Sequence, residues 1–177
     1  MKKKIFTLLF LLLSIFGFSL KADAAPATIK TTSLGKSSNL ISGVPTVYIK
    51  QTSDSIYLYC EEALKKYPAN TTIKLKGEAP KGMVYILKNR PNTGNANTDN
   101  YIMQTAVWWY LDDTTGSHNL DNSFKSTAAD NYKIRSYIIN LVNGAKQAKA
   151  KGYVTTTLTV NQTNSEMGLT SDGKYYQ

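Results

Sequence analysis

Cysteine and histidine are nearly absent: the chain of 177 residues has one of each, Cys60 and His118. One thiol cannot close an internal disulfide, and it excludes a Cys-rich zinc site. One imidazole leaves no His-based metal cluster, so neither metal nor cofactor is expected. The adjacent carboxylates Asp112 and Asp113 have no further ligands near them in sequence and are a weak metal signal. Acidic residues are also few, 12 against 21 Lys and Arg, for a net charge of +9. The excess of positive charge forms no aromatic-interleaved run. Lys65-Lys66 and Lys146, Lys149 and Lys151 are its densest groups, which reads as a solvated surface and not as a nucleic-acid face. The length suits one domain with a core that needs no disulfide to hold it.

The one long apolar run lies at the N-terminus. Met1-Lys2-Lys3-Lys4 precedes an apolar stretch from Ile5 to Leu20, and Ala22-Asp23-Ala24 offers a small-residue cleavage pattern. This is the layout of a secretory signal, residues 1–24, and no membrane span is expected once it is removed. Residues 25–43, rich in Ala, Thr, Ser and Gly, predict a flexible lead-in. The domain itself is expected over 44–177. Outside a cell, an unpaired Cys60 is open to four readings: buried and inert, paired with another chain, nucleophilic, or blocked in some other bond.

Along 44–177 the pattern runs from strands to helices and back to strands. Val47-Tyr48-Ile49 and Ser55–Cys60 read as strands around a turn at Gln51–Asp54. Glu61–Lys66 reads as one helical turn before Tyr67-Pro68, and Thr71–Lys76 as a half-buried strand. Gly82–Asn89 has helical spacing and is stopped by Pro91. Asp99 is the expected N-cap of the next helix, whose apolar face is broad enough to be deeply buried. Asp112–Ser126 reads as a polar loop, Asp130–Lys149 as the longest helix, and Tyr153–Val160 as a strand. Ser171-Asp172-Gly173-Lys174 is a hairpin turn signal. The predicted class is α+β: a mainly antiparallel β-sandwich or barrel-like portion with an inserted helical segment. A chain that stops just inside an expected strand reads as a segment of a longer protein.

Two residues are out of place chemically. Gln104 sits in the most apolar helix, where an unpaired amide costs about 1–3 kcal/mol. It either bonds a backbone group or lies at the edge of the face. Cys60 is the unpaired thiol. Attack of its thiolate on the Gln104 carboxamide, with loss of ammonia, would give a thioester that uses both. The fold would have to bring the two together.

Tyr59-Cys60 at a strand end, together with Gln104-Thr105-Ala106-Val107-Trp108 in a helix, resembles the thioester domain of Gram-positive surface adhesins. Val84-Tyr85-Ile86-Leu87 and Leu169–Tyr176 fall in the family's order, so the resemblance covers roughly 45–177. Met103 and Glu61 depart from the usual residues, and neither removes a bond-forming atom. The resemblance implies a Cys60–Gln104 thioester; Tyr59, Thr105 and backbone N–H groups are candidates by proximity for polarising its carbonyl, and Trp108 is a further candidate supporting residue. It implies covalent capture of an amine, such as a lysine of a host surface or matrix protein, through an isopeptide bond. Such a chain is displayed on the bacterial surface with further stalk domains, and works once instead of turning over. Two other readings stay open. In the first, Cys60 is the nucleophile of a hydrolase or acyltransferase, with His118 as base and Asp112, Asp113 or Asp121 as orienter. In the second, the domain binds without a covalent bond and Cys60 is a silent core residue.

Overall fold

The computed structural model describes residues 25–41, 44–48, 56–61, 63, 67–115, 134–150, 168–171 and 173–177. Seven strands and three helices occur among them. They are β1 Thr28–Lys30, β2 Ser37–Ser38, β3 Val47–Tyr48, β4 Leu58–Cys60, β5 Thr72–Glu78, α1 Lys81–Lys88, α2 Ala96–Thr115, α3 Ile134–Ala150, β6 Gly168–Thr170 and β7 Lys174–Tyr176. Five strands form one curled antiparallel sheet in the order β1-β5-β7-β6-β4, and β2 pairs with β3. All three helices lie in sequence between β5 and β6. The class is α+β, with the helical segment inserted into the sheet as the sequence pattern predicts.

The sheet separates two apolar clusters. Ile29, Leu58, Ile73 and Tyr176 close one face, where Ile29 stands opposite Ile73 across the β1–β5 ladder. Tyr59, Leu169 and Tyr175 join the helices in the larger core. Their alternation with the first set is the two-residue period of a strand. The turn from β6 to β7 needs Gly173, whose φ of 89° favours glycine. At Gly168, opposite Cys60, a Cβ would lie 2.7 Å from Leu58 Cδ1, so the strands approach closely beside the cysteine.

Helix α2 is the axis of the core. Every residue from Asp99 to Leu111 is buried, so this stretch is enclosed on all sides instead of presenting one stripe. It packs on α3 and α1, and touches β3 and β4 on its other side.

Four expectations are corrected. Residues 25–43 hold β1 and β2, where composition predicts a flexible lead-in. Ile29 is the lone buried anchor of β1, and so short a segment gains its order from the β5 ladder and not from its own pattern. The strands before and after 51–54 do not pair with each other: β3 pairs with β2 and β4 with β6. Helix α2 begins at Ala96, and Asn95 caps it. Its Oδ1 accepts from the Asn97 N–H at 2.9 Å and the Thr98 N–H at 3.2 Å. Asp99 lies inside the first turn instead. The helix also runs through Asp112 and Asp113 to Thr115, where a loop is predicted, because Asp and Thr cost a helix only fractions of a kcal/mol per residue. The signal segment, the turn at 51–54, His118, Asp121 and the strand expected at 153–160 lie outside the described residues, as does most of Glu61–Lys66.

Candidate thioester site

Among the described residues strand β4 is an edge strand of the sheet, paired with β6 on one side. An edge leaves backbone donors and acceptors open, and something must satisfy them when they are buried. At Cys60 that partner is Gln104. The Cys60 N–H donates to Gln104 Oε1 at 2.8 Å, and Gln104 Nε2 donates to the Cys60 carbonyl at 2.7 Å. The two residues are 44 positions apart. Cys60 and Gln104 are each 1% exposed. The carboxamide takes the place of a neighbouring strand at a single residue, because the N–H and C=O of one strand residue point to the same side. Both ends of the amide are satisfied, so the buried glutamine carries none of the desolvation penalty of an orphan.

The three residues expected to support the bond have separate surroundings. Thr105 is fully buried, and its hydroxyl donates to the Tyr101 carbonyl at 2.6 Å, within its own helix. The Tyr59 hydroxyl accepts from Arg90 Nη1 at 3.2 Å. Trp108 lies one turn beyond Gln104, with its ring edge-on to Tyr67 at 6.1 Å between centroids. Tyr67 in turn stands edge-on to Tyr48 at 5.4 Å, and its hydroxyl accepts from the Tyr48 N–H at 3.4 Å. The buried Trp108 Nε1–H has no hydrogen-bond partner among the described residues.

Arg90 is the residue that sequence reading missed. Nη1 reaches Tyr59 and the Oδ1 of Asn100, Nη2 reaches the Ala96 carbonyl at 3.3 Å, and the guanidinium lies 4.3 Å above the Tyr57 ring. It also faces Asp99 at 4.0 Å. Asp99 Oδ1 accepts from the Thr93 N–H at 2.9 Å and the Thr93 hydroxyl at 2.6 Å. Arg90 thus ties the strand that carries Cys60 to the helix that carries Gln104. A lone Arg before Pro91 carries no motif, so only the fold reveals it.

Tyrosines around the site resist ionisation. Burial pushes the Tyr59 hydroxyl up from its usual 10.0 to about 12, against the opposing charge of Arg90. Burial, then the neighbouring Cys60, raises Tyr67 well above the usual tyrosine range, and burial also raises Tyr101. A raised folded pKa means the folded state holds its proton longer than the unfolded chain. Stability from these groups is therefore present below pH 10 and lost as pH climbs from about 10 towards 12 and beyond. Thermal unfolding at pH 8, 10 and 11 is expected to give a midpoint that drops steeply only in the last interval, and Tyr67→Phe is expected to flatten the drop.

No family model and no curated protein matches the chain. Among solved structures, the thioester domain of the Enterococcus faecium TIE86 protein superposes with a TM-score of 0.51 at 13% identity. The match covers 83% of this chain and 61% of that one, so the chain spans less than two thirds of the length of the structure it resembles. At that identity the likeness is one of fold alone: this chain is similar in fold to a thioester domain.

Proposed function

We propose that this domain forms an internal thioester between Cys60 Sγ and Gln104 Cδ and uses it to capture amines covalently. The observation that carries the reading is the paired hydrogen bonding of the Gln104 carboxamide to Cys60 itself, in a buried site. In forming the bond, the thiol sulfur attacks Cδ, the Cδ–Nε2 bond breaks, and the thiol proton leaves with the nitrogen as ammonia. In capture, a primary amine attacks the same carbon and the Cδ–Sγ bond breaks. Sulfur leaves with the electron pair, and a proton lost by the amine restores the thiol. Thiolate is a much better leaving group than amide ion, so the stored acyl group reacts where glutamine would not. Each domain works once, because the product isopeptide does not release Gln104.

The target class is a lysine amine on a host surface or matrix protein, and the setting is a bacterial surface. Both follow from the resemblance to adhesin thioester domains and from the signal-like N-terminus. Intact mass spectrometry of the purified domain is expected to read one ammonia less than the sequence mass, with Cys60 resistant to alkylation. Methylamine is expected to add its own mass and expose the thiol. A full-mass protein that does not react with methylamine would falsify the proposal.

A further inference from the structure

We infer that the backbone N–H of Cys60 is the donor that polarises the reacting acyl carbonyl. The inference rests on the thioester reading and adds a catalytic group to it. The Cys60 N–H already holds Gln104 Oε1 at 2.8 Å. Of the two heteroatoms of the carboxamide, the acyl oxygen is the one that neither ammonia loss nor amine capture removes. When sulfur replaces Nε2, the carbonyl is tethered through the cysteine's own side chain. The path from oxygen through Cδ, Sγ, Cβ and Cα back to N–H closes a ring the size of a γ-turn's. The donor can therefore stay with the oxygen from amide to thioester.

The chemistry needs a donor at that atom. As an amine adds to Cδ, the carbonyl electrons move onto oxygen, and an N–H already pointed there stabilises that charge without reorganising. Burial strengthens the interaction, since Cys60 and Gln104 are each only 1% exposed. Of the two hydroxyls expected to support the bond, Thr105 donates to the Tyr101 carbonyl, and Tyr59 is held at Arg90, from which it accepts. The Cys60 carbonyl, at 2.7 Å from Nε2, has a different part. It holds the nitrogen that leaves as ammonia. The same donor would also activate the thioester towards water, so exclusion of solvent is a condition of the design.

The test removes that one hydrogen. Cell-free translation of the full chain with the α-hydroxy analogue of cysteine at position 60 replaces the N–H by an ester oxygen and keeps the side chain. Removing one such donor is expected to slow methylamine capture about a hundredfold. Capture is followed by intact mass, starting from protein that shows the ammonia deficit. Equal rates in the amide and ester proteins overturn the inference while leaving the thioester reading intact. Absence of the deficit from the unaltered chain overturns both. Should the ester protein not fold, isotope-edited infrared spectra of the unaltered chain with ¹³C-labelled glutamine decide. A thioester carbonyl stretch below that of a simple alkyl thioester in dry apolar solvent is expected, and an unshifted stretch overturns the inference.

Discussion

Gln104→Glu is expected to abolish amine capture and to make folding pH-dependent in the acid range. The substitution is isosteric, so it tests charge and leaving group and not volume. A carboxylate has no ammonia to lose and resists thiolate attack, so the protein should show the full sequence mass and no methylamine adduct at any pH. Stability behaves differently. In place of Nε2 the variant puts an oxygen against the Cys60 carbonyl, where the native contact is 2.7 Å. Ionised, at a position only 1% exposed, that oxygen has no proton to offer, and the loss is about 3–5 kcal/mol. Protonated, the carboxyl reproduces the native pattern, with one oxygen accepting from the Cys60 N–H and an O–H donating to its carbonyl. The folded pKa of the introduced carboxyl is therefore raised above the unfolded value of about 4.3. Stability is near that of the uncross-linked amide form at or below that value and falls as pH rises through the folded pKa. Denaturant midpoints at pH 4 and pH 7.5 read the difference. Cys60→Ala separates the two effects: it loses the ammonia deficit and all capture, yet keeps both backbone bonds to Gln104. A Gln104→Glu midpoint independent of pH would contradict the paired geometry.

The same pair explains what can be read from the sequence and what cannot. Gln104 stands out because an amide among Met103, Ala106, Val107 and Trp108 needs a reason. Two readings compete for it, a backbone hydrogen bond or a chemical partnership with Cys60. The structure shows the first, and the backbone group that Gln104 bonds is that of Cys60. The helix pattern places α1, α2 and α3 well, since long apolar periodicities survive into tertiary structure. Strand pairing is less legible. Segments of two or three residues such as β1, β2 and β3 carry too little alternation to choose a partner, so residue 48 pairs with 37 and not across the turn. Capping misleads at Asp99, because its carboxylate answers Thr93 and Arg90 while Asn95 takes the cap. Arg90 is invisible in the sequence because its donors serve residues from separate places in the chain.

Arg90→Ala is expected to be among the most damaging changes away from the reacting atoms. The side chain bonds Tyr59, Asn100 and the Ala96 carbonyl, stacks on Tyr57 and faces Asp99. Hydrogen bonds from a charged donor are worth about 1.5–3 kcal/mol each when buried, and stacking on an exposed ring about 0.5–1. The guanidinium is a quarter exposed, so these values are discounted for solvent, and a total loss of about 3 kcal/mol is expected. For a chain of this size that is a fall of roughly 10 °C in the unfolding midpoint. Asp99, 6% exposed in the native fold, keeps only Thr93 among the described residues to answer its charge, which adds to the loss at neutral pH. The chemical effect is separate. Tyr59 is the residue before Cys60, and Arg90 is what holds its ring against the start of α2. Without that tie the Cys60 backbone drifts relative to Gln104, and a displacement of about 1 Å can cost on the order of a hundredfold in rate. Arg90→Lys keeps the charge but replaces a planar fork by a point, so it should recover less than half of the stability. Parallel unfolding curves and methylamine capture rates on the two variants, measured below the lower midpoint, separate the contributions. Native capture rates in a folded Arg90→Ala protein would mean that the clamp serves stability alone.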